Sequence, residues 1–384
     1  MSLFKRLIKE QKRLNNQKNK VDKSFYNGVV TRYKNPILTA DHVPISWRFD
    51  LDHKTNPFNI ERLGVNAVFN SGALYFNDAF YLVPRIEGTD RKSFFALVKS
   101  KSGIDKFEWI TPILFDKLDH ETNLYDMRLT HHEDGYIYGV FCSESLNPNQ
   151  ELIMDAIAKA GIVRTKDLLS WERLPNLETP SPQQRNVILH PEFVDEKYLF
   201  YTRPQDGFID VGKAGGISGG FVEDIKNPKV SKEILIDQRI YHTVYETKNG
   251  GGTVPIKTKA GFIHIAHGVR QTAAGLRYVL YAFLTDLNDP LKIVAKPSGY
   301  LLAPIKEERV GDVSNVLFSN GAILKDQTIY LYYASSDTRL HVATISLEAM
   351  LDYLLNNPKE SFNTYDSTLQ RINLIKKNNQ KEPK

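Results

Sequence analysis

The sequence predicts an all-β protein, a five-bladed β-propeller with short helical extensions at its N- and C-terminal ends. Three observations predict it. The middle of the chain is a succession of short strands rich in Tyr, Phe, Val and Ile, punctuated by Gly, Asp and Asn. Five segments superpose on one another: "SGALYFNDAFYLVPRIEG", "RLTHHEDGYIYGVFCSE", "HPEFVDEKYLFYTRPQ", "PIKTKAGFIHIAHGV" and "SNGAILKDQTIYLYYASSD". Each is a short strand, a polar turn and an aromatic-rich strand ending in small or polar residues, and the turns recur about every sixty residues. Several are followed by a further strand pair, as in "SFFALVKSKSGIDKFEW", "AGIVRTKDLLSWERL" and "LRYVLYAFLTDLNDP". Four strands per unit and five units make a propeller, because no blade alone can bury both of its faces. A β-sandwich or a two-domain all-β chain is the competing architecture. The repeat argues against any domain cut inside the ring.

The ends read differently. "KRLIKEQKRLNNQKNKVDK" near the start and "RINLIKKNNQKEPK" at the end are basic. In the first, Leu3, Phe4, Leu7 and Ile8 fall at helical spacing, so an amphipathic helix is expected. "SLEAMLDYLLNN" reads as a helix capped by Ser346. The expected division is a basic helical extension over 1–26, a propeller over 27–345 and a C-terminal helix with a basic tail over 346–384.

Of the 384 residues, 50 are Lys or Arg and 45 Asp or Glu, giving a net charge of +5. Much of that excess sits in the two tails, so it does not indicate nucleic acid. No run has the length of a membrane span. Met1 to Lys23 is broken by Lys5, Arg6, Lys9, Lys12 and Arg13, so no secretion signal and a cytoplasmic location are expected. Cys142 is the single cysteine, which excludes an intramolecular disulfide and argues against a cysteine zinc site.

In a propeller the inner strands converge, so repeat-equivalent positions meet. Before the hairpins sit Asn70 and Ser71, Asp126 and Arg128, Arg185 and Asn186, Lys248, then Asp312 and Asn315. At the ends of the second strands sit Arg85, Cys142, Arg203, His267 and Asp337. Strand interiors normally carry apolar or β-branched residues, so such a set is costly unless it is used. Arg185, Arg203, Lys248 and His267 form a cationic half suited to an anion. Asn70, Arg85, Asp126, Asp312 and Asp337 form a polar half suited to sugar hydroxyls. Lys248 opens "KNGGGTVP", read as a glycine-rich loop, though without the order of a nucleotide P-loop. Asp126 and Arg128, two apart on a strand, leave the same face and make either a surface ion pair or an acid with its positioning partner. Without the repeat, structural ion pairing would be the plainer reading of the four cations. His131, His132 and Glu133 resemble metal ligands but are expected exposed at the hairpin turn. Glu192 is either a second carboxylate or a structural hydrogen-bonding residue, and Trp47, Trp109 and Trp171 are expected to pack blades.

"YDMRLT", "QQRNVILHPEFV", "YTRPQDGFID", "PIKTKAGFIHIAHGV", "GDVSNVLFSNG" and "YYASSDTRLHVAT" resemble the signature segments of glycoside hydrolase family 130, inverting β-mannoside phosphorylases on a five-bladed propeller. The resemblance runs in order from about Asn27 to about Tyr353. It implies that Asp126 is the sole catalytic acid and that Arg185, Arg203, Lys248 and His267 hold phosphate. It places Asn70, Ser71, Arg85, Arg128 and Asp337 at the mannose pocket. Met127 after the acid matches the branch acting on 4-O-β-D-mannosyl-D-glucose, where much of the wider family has Pro. The implied reaction gives α-D-mannose 1-phosphate and glucose, with the proton passing through a mannosyl hydroxyl. Phosphate is already an anionic nucleophile, so the general base of an inverting hydrolase is dispensable. The resemblance implies no metal or organic cofactor, phosphate being a co-substrate, and a homo-oligomer. Longer β-1,4-manno-oligosaccharides, an inverting hydrolase, or a non-catalytic carbohydrate-binding propeller are the alternatives.

Overall fold

The computed structural model describes residues 3–52, 54–58, 64–146 and 156–380. Five antiparallel sheets follow one another around an axis. The first holds β3 (Val65–Phe76), β4 (Ala79–Gly88), β5 (Ser93–Ser100) and β6 (Glu108–Ile113). The second holds β7 (Glu121–His131), β8 (Ile137–Leu146), β9 (Ala156–Thr165) and β10 (Glu172–Leu177). The third holds β12 (Ile188–Val194), β13 (Lys197–Thr202), β15 (Ile217–Val222) and β16 (Ile234–Asp237). A short ribbon of β11 (Gln183–Gln184) and β14 (Pro204–Gln205) stands beside it. In the fourth, β17 (Lys248–Gly251) and β18 (Ile256–Thr258) both pair with β19 (Gly261–Thr272), followed by β20 (Gly275–Thr285) and β21 (Ile293–Ala295). "KNGGG" is thus an inner strand rather than a loop.

The fifth sheet is shared by the two ends of the chain. β22 (Leu317–Lys325), β23 (Thr328–Ser335) and β24 (Arg339–Ser346) are joined by β2 (Thr31–Tyr33) and β1 (Val21–Tyr26). The segment expected as a basic helical extension over 1–26 therefore divides: α1 (Leu3–Asn15) is helical, and Val21–Tyr26 is an edge strand of the ring. Alternation alone could not show this, because the strand's partners lie at the other end of the sequence. Arg32, 2% exposed, holds the seam: it donates to Glu308 Oε2 at 2.9 Å and to the Ala303 carbonyl at 2.7 Å.

The hairpin turns explain why the polar corners recur. Asn77–Asp78, Asp195–Glu196 and Asp326–Gln327 each have both central residues at positive φ, the conformation that matches the twist of paired strands. The apolar residues of the strands meet between blades. Leu97, Phe95 and Val83 face Met127, Phe141 and Val163 across the first interface; Val140 and Ile162 face Leu189 and Phe200 across the next. The fourth and fifth blades share Ile263, Leu280, Leu317 and Leu331, closed over by Met350 and Leu354 of α2 (Leu347–Asn356). Ser346 caps α2, accepting from Ala349 N at 3.1 Å, as the sequence predicts. A further helix, α3 (Thr364–Asn379), lies within the tail.

Trp47 and Trp109 pack edge to face at 5.6 Å, and Trp171 donates to the Leu168 carbonyl at 3.1 Å. His132 departs from its expected exposure. It is buried against Phe193 and Tyr198, with Nδ1 accepting from Asp134 N at 3.2 Å, because the turn folds back against the third blade.

Candidate active site

The residues at the axis owe their aim to backbone irregularity. Alternation breaks between Tyr125 and Arg128, where β7 carries one extra residue against β8, and Asp126 takes φ +62°. Another shift lies between Phe69 and Ser71, with Asn70 at φ +42°. Asn186, Asn315 and Asp337 are also left-handed. Each such non-glycine residue costs about 1 kcal/mol or more, and their clustering at one end of the ring marks a site the fold over-determines.

Asp126 Oδ1 accepts from Asn70 Nδ2 at 3.0 Å and from Arg85 Nη1 at 3.3 Å. The Asp126 and Arg85 side chains are each 13% exposed, largely desolvated yet open to a ligand. Arg85 is fixed on every side. Its Nε donates to Ser93 Oγ at 2.9 Å, its Nη2 to Glu87, and Phe69 and Tyr125 sandwich it at 4.6 and 4.7 Å. Asp337 completes this half of the site. Among the described residues its carboxyl has no hydrogen-bond partner. Burial pushes it up to about 7; Arg85 opposes that rise, and Asp126, Glu87 and Asp312 add to it.

Arg128 answers to a different role from sugar contact. It is 1% exposed and donates to the carbonyls of Gly252 (2.8 Å), Asp126 (3.0 Å) and Gly251 (3.2 Å), and to Asn186 Oδ1 (3.1 Å). The guanidinium is a clamp in the wall that secures the bulged backbone of Asp126. Ser71 is likewise fully buried, its hydroxyl donating to the Gly72 carbonyl at 2.8 Å. Met127 points the other way, into the interface between the first two blades.

The four expected cations do converge. The β11–β14 ribbon pairs Gln184 with Pro204, which sets Arg185 and Arg203 side by side. Arg203 donates through Nε to Gln205 Oε1 at 3.1 Å, and its Nη1 lies 3.4 Å from His267 Nε2. A guanidinium can only donate, so this contact makes Nε2 the acceptor and puts the imidazole proton on Nδ1. His267 is held well below its usual range by burial, then by Arg203, Arg128 and Lys248. Lys248 is also lowered, by burial and by Arg203 and Arg185. Gly250 makes the crowding possible: a Cβ there would lie 2.6 Å from the His267 ring and 2.8 Å from Arg203 Cδ. Arg185 stacks on Phe208 at 3.8 Å, and Lys248 Nζ donates to the Ile209 carbonyl at 2.8 Å. Among the described residues none of the four forms an ion pair with a carboxylate, so structural ion pairing does not account for them. Like charges brought together and left uncompensated fit an anionic ligand.

Three polar residues absent from the sequence reading belong here. Glu87 and Ser93 hold Arg85, and Tyr278 stacks on His267 at 6.1 Å. Glu87 was legible as the residue two beyond Arg85 on one strand; Ser93 and Tyr278 come from strands whose pairing the sequence does not print. Glu192 lies outside, bound to Lys257 Nζ at 2.6 Å, and Asp312 accepts from Asn66 Nδ2 at 2.5 Å. Cys142 is buried, its thiol pushed up to about 11 mainly by burial.

A carboxylate half facing a cationic half can take a sugar and an anion together. Comparison with known proteins agrees with that chemistry. A family profile described as beta-1,4-mannooligosaccharide phosphorylase matches residues 34–356. The chain is 55% identical over 357 residues to the 4-O-beta-D-mannosyl-D-glucose phosphorylase of Bacteroides fragilis, covering 92% of this chain and 91% of that protein. It is 30% identical to a 1,2-beta-oligomannan phosphorylase of Thermoanaerobacter, over 73% of this chain and 90% of that one. Among solved structures, the beta-1,2-mannobiose phosphorylase of Listeria innocua shares the fold, with a TM-score of 0.67 at 20% identity over 88% of this chain and 99% of that one. On the profile match and the high-identity relative, the chain belongs to glycoside hydrolase family 130.

Proposed function

We propose that the protein is an inverting phosphorylase converting 4-O-β-D-mannosyl-D-glucose and phosphate into α-D-mannose 1-phosphate and glucose. The observation that carries this reading is the 55% identity to the Bacteroides fragilis enzyme along nearly the whole of both chains. The site's two halves support it. Arg185, Arg203, Lys248 and His267 bind phosphate and aim one oxygen at the anomeric carbon. Asp126 supplies the proton to the leaving oxygen by way of a mannosyl hydroxyl. With Oδ1 engaged by Asn70 and Arg85, its second oxygen is the one that carries the proton. Asn70, Arg85 and Asp337 contact mannose, while Ser71 and Arg128 shape the wall behind it. No general base is required, and the reaction needs no metal or organic cofactor.

Asp337 carries a second reading of the donor, since a carboxyl raised to about 7 holds its proton near neutrality. One experiment separates the possibilities. The purified protein is incubated with mannosyl-β-1,4-glucose, with and without phosphate, and the products are followed by NMR. Phosphate-dependent α-mannose 1-phosphate is expected; free mannose formed equally fast without phosphate would indicate a hydrolase. Asp126→Asn should lower the rate roughly 10³-fold with the fold intact. Near-normal turnover in that variant, with loss in Asp337→Asn, would move the proton donor to Asp337.

A cytoplasmic location belongs to the same reading, because a sugar phosphate product is charged and retained by the cell that makes it. Assembly as a homo-oligomer belongs to it as well. Leu369, Ile372 and Ile375 of α3 are 45%, 41% and 57% exposed, and a second copy would cover them; sedimentation velocity tests this.

A further inference from the structure

An acid catalyst beside a guanidinium faces a conflict: the cation that positions the carboxylate also favours its ionised form. The structure contains a device against this. Arg85 Nη1 reaches Asp126, while Nη2 on the other side is taken by Glu87, two residues along β4 on the same face. Arg85 and Glu87 are each 13% exposed, so this is a desolvated pair rather than a rim contact. Ser93 occupies the remaining Nε, and its own N–H is fixed by Asn123 Oδ1 at 2.9 Å.

We propose that Glu87 is a positioning residue for the proton donor, holding Arg85 to one edge of Asp126 and offsetting the guanidinium's charge beside Asp126 and Asp337. The inference rests on the phosphorylase reading above. Arg85 thus meets Asp126 and Glu87 by hydrogen bond and Asp337 through its charge. Asp337, with no hydrogen-bond partner among the described residues, is the one that burial holds protonated up to about 7.

The charged and titratable groups facing this pair come from every blade around it. Arg85 and Glu87 belong to β4, Asp312 precedes β22, and Tyr278 on β20 looks toward Asp337. Tyr125 precedes Asp126 on β7, Cys142 lies on β8, and Arg128 and Arg185 approach Asp126 from the wall. Of these, Glu87 is the only carboxylate hydrogen-bonded to the guanidinium besides Asp126. Removing its charge leaves the lowering effect of Arg85 on Asp337 less opposed.

The test is the pH dependence of phosphorolysis in Glu87→Gln. The basic limb of kcat should move down by about one pH unit, so that turnover falls about tenfold at pH 8 and stays within about twofold at pH 5.5. Glu87→Asp, which keeps the charge, should hold the limb in place at lower kcat. It also serves as the deciding variant if Glu87→Gln does not fold, a displaced limb then counting against the proposal. A basic limb identical in the wild type and Glu87→Gln overturns it. Infrared titration of the protonated carboxyl band, assigned with Asp337→Asn, gives a readout independent of turnover. If the wild type shows no phosphorolysis, the functional reading fails, yet a band that titrates about one unit lower in Glu87→Gln still supports the charge coupling; an unmoved band refutes it.

Discussion

Asp337→Asn offers a sharp thermodynamic check on the acidic half of the site. The carboxyl is held at about 7 in the folded protein against 3.8 for the free group, mainly by burial. Between those values the folded state retains a proton that the unfolded chain has lost. Stability therefore falls as pH rises, by about 1.4 kcal/mol per unit, until the curve flattens above the folded value. From pH 5 to pH 8 the affected window is about two units, an upper figure on the order of 3 kcal/mol. Asp337 is partly open to the mouth of the site, and screening by water there reduces the figure to about 2 kcal/mol. With an unfolding entropy of about 2.1 cal/mol/K per residue over 384 residues, this corresponds to a shift in Tm of about 2–3 °C. Asparagine cannot ionise, so it escapes the penalty. Thermal melts in phosphate-free buffer should show the variant's advantage over the wild type growing by about 2–3 °C between pH 5 and pH 8. A difference that stays constant across this range would refute the buried, partnerless carboxyl.

Other substitutions test the remaining parts. Arg128→Lys removes a fork that serves three carbonyls and one amide, and should destabilise the fold by about 3 kcal/mol, or about 4 °C in Tm, while lowering kcat; an unchanged melt would deny its clamping role. Arg203→Ala should raise the phosphate KM by about tenfold or more and the disaccharide KM much less; equal phosphate dependence would count against the cationic half. Arg32→Ala breaks the buried pair with Glu308 and should speed amide exchange in residues 21–33 relative to the rest of the fifth sheet, measured by mass spectrometry; uniform exchange would show that the seam is held elsewhere.

The five-bladed ring was legible because its signals are local: polar corners that tolerate positive φ, and aromatic strands that pack between blades. The partition of the site into a cationic and a polar half was legible too, since repeat-equivalent positions converge. What escaped was non-local. Val21–Tyr26 could not be recognised as a strand of the ring without its partner, and "KNGGG" reads as a loop until Gly250 is seen opposite His267. Arg128 looked like a ligand-facing residue under simple alternation, and the bulge at Asp126 is what turns its guanidinium onto the backbone. Glu87 shows the converse case. Its spacing from Arg85 matched the pair that drew attention to Asp126 and Arg128, but only the ion pair reveals its use.

The seam in the fifth sheet has a consequence for how the chain comes into being. Tyr33 and Thr344, whose hydroxyls lie 3.3 Å apart, are separated by 311 residues. A ribosome releases the first of them long before the second exists, at about 5–20 residues per second. For that interval of tens of seconds the strands that will close the ring have no sheet to join. The earlier blades can stack meanwhile, but the edge of the last one stays open until the final residues emerge. The order of synthesis thus makes ring closure the last event, and the segment around Arg32 the one most exposed to mispairing with another nascent chain.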